Sequence, residues 1–325
     1  MKFNRILAVA LAVGTLGIAP VSRASAEAYP DKPITVIVPQ AAGGASDVIV
    51  RIVTNRMSGI LKQNLVVDNR PGAGGNIGIS AAARAKPDGY TLLFNVSSAH
   101  LINPYLYKNA GFSPERDFVS VAPFATGGMV LVASPSFPPN TVRELIDLAK
   151  KKPGDISFAS AGNGTLNHLM GELFNQAAGI KMTHVPYRGA AAATTDVISG
   201  RVPIAFQALA SSSAHIKAGK LKVLAVANEK RLEELPNVPS ISETLPGYGE
   251  TPWYGLFAPA GTPKAIVDVL HAAAAQALRD PAVVKGLAEQ GAKPYVSSPA
   301  DFQQFISREL VRWKKIVEAS GASVD

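Results

Sequence analysis

Two stretches of small and polar residues could hold an anionic ligand with backbone groups. The first, "VIVPQAAGGASD", runs from Val36 to Asp47, and the second, "ISFASAGNGTLNHL", runs from Ile156 to Leu169. In each, a β-prone run leads through glycines into a helical pattern. A helix start leaves backbone N–H groups unpaired and carries a partial positive charge, so a loop of this kind without bulky side chains predicts an anion site.

Polar side chains in both stretches would add to such a site. In the first, Ser46 and Asp47 can each cap the helix, and a ligand oxygen would meet the Ser46 hydroxyl beside the backbone amides. In the second, polar residues surround Gly162 and Gly164; they are Ser160, Asn163 and Thr165. Glycines here could instead serve only a tight turn. Two such loops facing each other across a crevice favour binding of a small acid.

Catalytic, metal and cofactor motifs are weak in this sequence. Ser46 lacks the G-x-S-x-G context of a nucleophile, and no histidine belongs to an H-E-x-x-H run, so we assign no catalytic residue and no metal ligand. The G-x-G-x-x-G spacing of a dinucleotide site is absent, and we expect no cofactor. An exported hydrolase or isomerase, the alternative interpretation, would have to use Ser46 or His168.

The elements that must position these loops alternate along the chain. Short β-prone runs such as "ITVIVP", "NLVVDN" and "YTLLFNV" are separated by alanine-rich helical stretches, which predicts an α/β fold. The first helix is predicted from about Ser46 to Leu61, where Val48, Ile52, Val53 and Met57 fall at helical spacing.

The chain length favours two lobes, because roughly 300 mature residues exceed the usual size of a single core. The run "VSVAPFATGGMVLVASP", broken by Gly127 and Gly128, suits a strand that leaves one lobe and enters another, and "TPWYGLFAPAG" suits the return. We predict that lobe 1 comprises residues 27–125 plus 252–325 and lobe 2 residues 126–251. Each lobe is predicted to be a mostly parallel sheet flanked by helices, and the two crossover strands form the hinge of a clamshell.

The amino terminus predicts export. Lys2 and Arg5 precede the apolar run "ILAVALAVGTLGIAP", and the small-residue site "ASA" follows it. This run of about 15 residues is shorter than the roughly 20 that span a bilayer. The pattern indicates a cleaved signal peptide over residues 1–26 rather than a membrane anchor.

Charge and cysteine content narrow the function classes further. The net charge of the full chain is +8, and loss of the predicted signal peptide removes three basic residues and no acid, leaving +5. This mildly basic balance favours anionic partners. Scattered Lys and Arg in an exported chain disfavour nucleic acid. Cysteine is absent, which excludes disulfides and a thiolate nucleophile.

Four long motifs carry a resemblance to a known family. They are "VDNRPGAGGNIGISAAARAKPDGYTLLF", "FASAGNGTLNHLMGELFNQAAGIKMTHVPYRGAAAATTDVISGRV", "HIKAGKLKVLAVANEKRLEELPNVPSISE" and "WYGLFAPAGTPK". Together they resemble the extracytoplasmic solute receptors of tripartite tricarboxylate transporters, the Bug family. The resemblance implies a periplasmic binding protein of type II, monomeric and without catalysis. Such a receptor closes on a small carboxylate-bearing solute and presents it to a membrane permease. A receptor that signals to a membrane sensor would share the same ligand chemistry.

In that family the ligand lies between the two glycine loops. Carried over by position, the ligand-binding residues are Gln40, Gly43, Gly44, Ser46, Asp47 and Ser97 from the first lobe, and Ser160, Gly162, Asn163, Gly164, Thr165, Tyr187 and Gln207 from the second. Relatives often carry an aromatic residue or proline at Gln40 and an acidic residue near Gln207. The neutral amides here weaken the case for an amino-acid ligand, and the identity of the solute stays open.

Overall fold

A computed structural model of the chain describes residues 29–324. The predicted signal peptide, residues 1–26, lies outside the described residues. None of the helices within residues 29–324 combines the length and apolar character that crossing a membrane requires.

Strands and helices alternate through most of the described chain. The strands are β1 (Ile34–Val38), β2 (Leu65–Asn69), β3 (Thr91–Val96), β4 (Phe118–Gly127), β5 (Met129–Ala133), β6 (Ser157–Ser160), β7 (Thr183–Pro186), β8 (Ile204–Ala208), β9 (Lys222–Val226), β10 (Trp253–Pro259) and β11 (Ala292–Pro294). The helices are α1 (Ala45–Leu61), α2 (Asn76–Ala83), α3 (Ser97–Leu101), α4 (Asn103–Leu106), α5 (Pro114–Asp117), α6 (Val142–Lys151), α7 (Leu166–Ala178), α8 (Ala190–Ile198), α9 (Leu209–Lys217), α10 (Lys264–Ala277), α11 (Pro281–Glu289) and α12 (Pro299–Ser320).

The first sheet has six strands in the order β2-β1-β3-β10-β4-β11. Strands β1, β2 and β3 run parallel, and β10 runs antiparallel to both β3 and β4. Strand β4 therefore has the direction of β1, β2 and β3, while β11 is reversed. Most strands share one direction, and the glycine loop that follows β1 leaves from the carboxyl edge of the parallel set.

The second sheet has five strands in the order β7-β6-β8-β5-β9. Strands β6, β7 and β8 run parallel, and β5 runs antiparallel to both β8 and β9. Only β5 is reversed among the strands of this sheet, so the prediction of two mostly parallel sheets flanked by helices is confirmed. The loop after β6 leaves from the carboxyl edge of these parallel strands, as the loop after β1 does in the first sheet.

The chain crosses between the two sheets twice, as the sequence predicted. It passes from β4 to β5 through Gly127 and Gly128, and it returns before β10. The Asn228 side chain ties the two connections together, because its Oδ1 accepts from the Met129 N–H at 2.6 Å and its Nδ2 donates to the Gly127 carbonyl at 2.9 Å. The Gly127 N–H in turn donates to the Pro252 carbonyl at 2.8 Å. The lobe boundaries at residues 125/126 and 251/252 stay a prediction beside this geometry.

A helix at the carboxyl end spans both lobes. Helix α12 packs against β4 of the first sheet and against α7 beside the second. Its buried residues join a hydrophobic core that also contains α7 side chains; those of α12 are Phe302, Ile306, Leu310, Trp313, Ile316 and Val317. Apolar burial therefore links the lobes as well as stabilising each of them.

Helix α1 carries the first glycine loop. It begins at Ala45 and its buried face contains Ile49, Val50, Val53 and Met57. The sequence pattern placed Val48 and Ile52 on that face, but both are half-buried. The helix and its end at Leu61 were predicted. Its buried face is rotated about the helix axis by a fraction of a turn from the face that the sequence pattern indicated.

Candidate functional site

A cavity of about 380 Å³ lies between the two glycine loops. From the first lobe it is lined by the end of β1, the loop before α2, and the segment from the end of β3 to α4; these residues are Gln40, Gly74, Val96, Ser98, Ala99, Asn103, Leu106 and Tyr107. From the second lobe it is lined by the loop before α7 and the first turn of that helix; these residues are Asn163, Gly164, Thr165, Leu166 and Asn167. The cavity is of the size that holds a small molecule.

The wall from the second lobe offers unpaired backbone donors. Within residues 29–324, no acceptor lies in hydrogen-bonding range of the backbone N–H groups of Asn163, Leu166 and Asn167. Thr165 caps α7, and its hydroxyl accepts from the His168 N–H and donates to the Gly162 carbonyl at 2.7 Å. The positive end of a helix of 13 residues therefore faces the cavity with free donors, which is the arrangement that holds a carboxylate.

Other donors of this loop are used internally. The Gly164 N–H donates to His168 Nδ1 at 3.1 Å, and the Gly162 N–H donates to Ser160 Oγ at 3.1 Å. Ser160 is almost wholly buried, and neither Ser160 nor Gly162 lines the cavity. These predicted site residues shape the loop from beneath instead of facing the cavity.

The wall from the first lobe combines amides, a phenol and apolar groups. The Gln40 Oε1 is buried and has no hydrogen-bond partner within the described chain. Asn103 Nδ2 donates to the Gly74 carbonyl at 3.0 Å and to Asn76 Oδ1 at 2.7 Å, which fixes its side chain at the cavity. A buried acceptor without a partner costs about 1–3 kcal/mol, so Gln40 is a position where a ligand donor would be stabilised.

The first glycine loop is organised by Asp47. Helix α1 begins after Gly44 without a side-chain cap, and Asp47 in its first turn accepts from the Gly43 N–H, Arg51 Nε and Asn69 Nδ2, each at 3.0 Å. The hydrogen bond from Arg51, together with those from Gly43 and Asn69, holds the pKa of Asp47 below its usual value. Its oxygens are therefore occupied by the protein.

We expect Asp47→Ala to lower the free energy of unfolding by about 1–3 kcal/mol, because three donors lose a buried acceptor. Asp268→Ala is the matched control, since Asp268 also pairs with a basic residue four positions away but lies on an exposed face of α10. Its loss is expected to cost under about 0.5 kcal/mol. Urea unfolding at neutral pH measures both, and equal small losses would contradict the role given to Asp47.

The remaining predicted residues lie outside the cavity wall. Gly43 and Gly44 are exposed, Ser46 is half-buried, and Ser97 Oγ accepts from the Trp253 N–H at 3.4 Å. In the second lobe the Tyr187 hydroxyl donates to Asp196 Oδ2 at 2.7 Å. Both ends of the buried Gln207 amide are paired, with hydroxyls of Thr194 and Ser212. Of the predicted residues, the cavity brings together Gln40, Asn163, Gly164 and Thr165.

Sequence reasoning missed most of the wall between the end of β3 and α4. Ser98 lines the cavity where Ser97 was predicted, and Asn103, Leu106 and Tyr107 follow within "NPYLY". A polar and aromatic cluster directly after a strand was the available signal. The helices that carry it, α3 and α4, are too short to show a periodicity.

The hydroxyl side chains that line this cavity, those of Ser98, Thr165 and Tyr107, have no histidine beside them in the lining. The one close pairing of a serine with an imidazole in residues 29–324 joins Ser160 Oγ to His184 Nε2 at 2.6 Å. Ser160 is 1% exposed and does not line the cavity. Nor do the described residues contain a cluster of three His, Asp or Glu side chains placed to hold a metal ion.

Two α/β lobes joined by paired crossover strands, with a cavity walled by both, define the clamshell class of solute-binding proteins. The sequence profile described as "Tripartite tricarboxylate transporter family receptor" matches residues 49–322. The chain belongs to this family, which is also the Bug family of the sequence prediction, and it is a solute-binding receptor by fold and site.

Relatives agree with this assignment along nearly the whole chain. Protein BugT of Bordetella pertussis (strain Tohama I) is 35% identical over 327 residues, which covers 100% of each chain. A solved structure of an R. palustris protein with adipate is 34% identical, has a TM-score of 0.77, and covers 91% of this chain and 99% of the other. MatC from Rhodopseudomonas palustris, solved with bound malate, is 31% identical, has a TM-score of 0.73, and covers 89% of this chain and 100% of the other.

Proposed function

We propose that this protein captures a small carboxylate-bearing solute between its lobes in the periplasm and delivers it to a membrane permease of the tripartite tricarboxylate type. The observation that carries the proposal is the set of free backbone donors of Asn163, Leu166 and Asn167 at the positive end of α7, facing the cavity between the lobes. Two relatives of known structure hold dicarboxylates, adipate and malate, which is the ligand class that this wall suits.

The proposed ligand contacts come from both lobes. In the second lobe they are the backbone of Asn163, Leu166 and Asn167 with the side chains around Thr165. In the first lobe they are Gln40, Ser98, Asn103 and Tyr107. Helix donors on one wall and an unpartnered Gln40 Oε1 on the other favour a ligand with a carboxylate at one end and a donor group, such as a hydroxyl or a protonated oxygen, towards Gln40.

The other residues predicted from the resemblance take supporting roles in this proposal. Asp47 and Gly43 shape the first loop, and Ser160 and Gly162 shape the second. The proposal includes no turnover, because the close Ser160 and His184 pair is buried away from the cavity. The periplasmic location follows from the predicted signal peptide, and the permease partner follows from the family.

A melting-temperature screen with adipate, malate and citrate tests the proposal. A ligand present at about 100 times its dissociation constant stabilises the native state by roughly 2.7 kcal/mol, which corresponds to a shift of several degrees. Acetate serves as the control for unspecific anion effects. A screen in which no acid raises the melting temperature beyond acetate would reject the proposal, and chemical conversion of any of these acids would favour the hydrolase or isomerase instead.

A further inference from the structure

Two stacked imidazoles lie directly beneath the second glycine loop. The rings of His168, in the first turn of α7, and His184, in β7, are 3.8 Å apart between centroids and inclined by 15°. Phe158 of β6 lies 5.1 Å from His184 and 6.4 Å from His168 between centroids. Neither histidine lines the cavity, so neither is placed to touch a ligand.

The bond from the loop to His168 fixes the state of that ring. The Gly164 N–H can only donate, and it donates to His168 Nδ1 at 3.1 Å, so Nδ1 carries no proton. The neutral ring then has its proton on Nε2, which lies 3.8 Å from Glu172 Oε1. A doubly protonated His168 would place two N–H groups against each other and would leave Gly164 without its acceptor.

His184 supports the other half of the loop through Ser160. Its Nε2 lies 2.6 Å from Ser160 Oγ, and that hydroxyl oxygen accepts from the Gly162 N–H at 3.1 Å. Ser160 Oγ also lies 3.1 Å from the Gly162 carbonyl. The backbone of Gly162 and Gly164 is therefore anchored by one imidazole each, with Asn163 between them facing the cavity.

We propose that His168 and His184 are positioning residues of the ligand site, whose neutral, stacked rings hold residues 162–164 in the conformation that turns the Asn163 amide and the first turn of α7 towards the carboxylate. The proposal rests on the proposed function for its ligand. His168 belongs to the second stretch of small and polar residues but was named above only as a candidate for catalysis, and no motif indicated His184.

Protonation of His168 would remove the acceptor of the Gly164 N–H, whereas a protonated His184 would still donate from Nε2 to Ser160 Oγ. Burial lowers the pKa of His168, and burial together with the neighbouring His168 lowers the pKa of His184 to about 4. Glu172 on α7 is the charged group that faces the pair. Because burial lowers the pKa of His168 from the usual 6.5, its ring stays neutral in the native protein at pH 6.5, and the support declines only as the pH falls through the lowered pKa.

Variants at His168 separate positioning from general stability. His168→Asn places an amide oxygen near the position of Nδ1 and does not titrate, whereas His168→Leu keeps bulk and removes the acceptor. The half-exposed His215 on α9 is the matched control, as His215→Asn. The measurements are the affinity for adipate between pH 7.5 and 4.5 and the hydrogen-exchange protection of the Gly164 amide in the unligated protein.

We expect His168→Leu to lose about tenfold in affinity at pH 7.5 and to lose Gly164 protection, since one anchoring bond is missing. His168→Asn is expected to bind within about threefold of the wild type at pH 7.5. Towards the acidic end of this pH range the wild type should lose affinity more steeply than His168→Asn, because the pKa of His168 is lowered from its usual value. Comparing the two proteins cancels the effect of protonation of adipate itself. His215→Asn should follow the wild type throughout.

Three results would overturn the inference. They are unchanged Gly164 protection in His168→Leu, identical pH profiles of the wild type and His168→Asn, and an affinity of the wild type that rises relative to His168→Asn as the pH falls. The last would mean that an imidazolium attracts the anion. If the protein binds no carboxylate at any pH, the proposed function is rejected. The hydrogen-exchange protection of the Gly164 amide is measured without ligand, so it tests the anchoring of the loop even in that case.

Discussion

Replacing Gly164 with alanine is expected to reduce the affinity for adipate by at least about tenfold while the unligated protein stays folded. Gly164 is the point where the second loop meets the first lobe. A Cβ added there would lie 2.4 Å from Leu106 Cδ2 and 3.1 Å from its Cγ. Leu106 is buried in α4, so it has little room to move away. The clash lies at a contact between the two lobes, so we expect it to oppose ligand binding between them more than folding.

Gly219 provides a closely matched control for this substitution. Gly164 and Gly219 have nearly the same backbone conformation, with φ of +71° and +68°, so alanine costs similar strain at both, roughly 1 kcal/mol. Within the described chain, no atom lies within 4 Å of a Cβ at Gly219. Isothermal titration with adipate and urea unfolding of both variants separate the two effects. Equal affinities in the two variants would show that contact across the cleft does not control closure.

The second large effect is expected at Glu250, just before β10. Glu250 is 2% exposed; its Oε2 lies 3.3 Å from Arg312 Nη1, and its Oε1 has no hydrogen-bond partner within residues 29–324. Arg312 on α12 also pairs with Glu309 at 2.9 Å and donates to the Gly249 carbonyl. Burial, with repulsion from Glu309 and Glu229, raises the pKa of Glu250 to about 8 against the opposing effect of Arg312.

A raised pKa of an acid makes the native state hold a proton that the unfolded chain releases. The stability contributed by Glu250 is therefore complete below pH 4.5, decreases as the pH rises towards 8, and is constant above that. Glu250→Gln removes this dependence. We expect it to raise the free energy of unfolding at pH 8.5 by on the order of 2 kcal/mol and to change it little at pH 5.

Urea unfolding at intervals between pH 5 and 9 measures this difference. The exposed Glu289 on α11 serves as the control, as Glu289→Gln, and its stability curve should run parallel to that of the wild type. Histidines that titrate over the same range affect all three proteins alike, so the difference between curves isolates Glu250. Parallel curves for Glu250→Gln and the wild type would show that Glu250 is ionised in the native protein at pH 7.

The sequence predicted the alternating elements well because their patterns are local. The β-prone runs became β1, β2 and β3, and the long run interrupted at Gly127 and Gly128 became two strands in different sheets. The reversed direction of β5 and the short strand β11 were not predicted. Strand direction within a sheet depends on partners far away along the chain, and three residues such as those of β11 carry no periodicity.

The predicted site residues and the lining of the cavity overlap only in part, for a related reason. Composition locates a loop that can approach a ligand, but it does not say which amides the protein itself uses. Gly164 and Gly162 donate to His168 and Ser160, and Gly43 donates to Asp47, so three of the predicted amides are occupied. Of the free donors, the N–H of Asn163 belongs to a predicted residue, and those of Leu166 and Asn167 lie in the first turn of α7, which was not predicted. Which amides are hydrogen-bonded within the protein depends on side-chain contacts that form only in the folded structure.

The side chain of Asn228 restricts how the two halves can move. Through its contacts with Met129 and Gly127, and the pairing of Gly127 with Pro252, the outgoing and returning chains are bonded side by side. Sliding one connection along the other would break these hydrogen bonds, so we expect any relative motion of the lobes to bend both connections together. A bound acid would then act on a coupled pair of connections, and it would favour whichever arrangement of the lobes it binds more tightly.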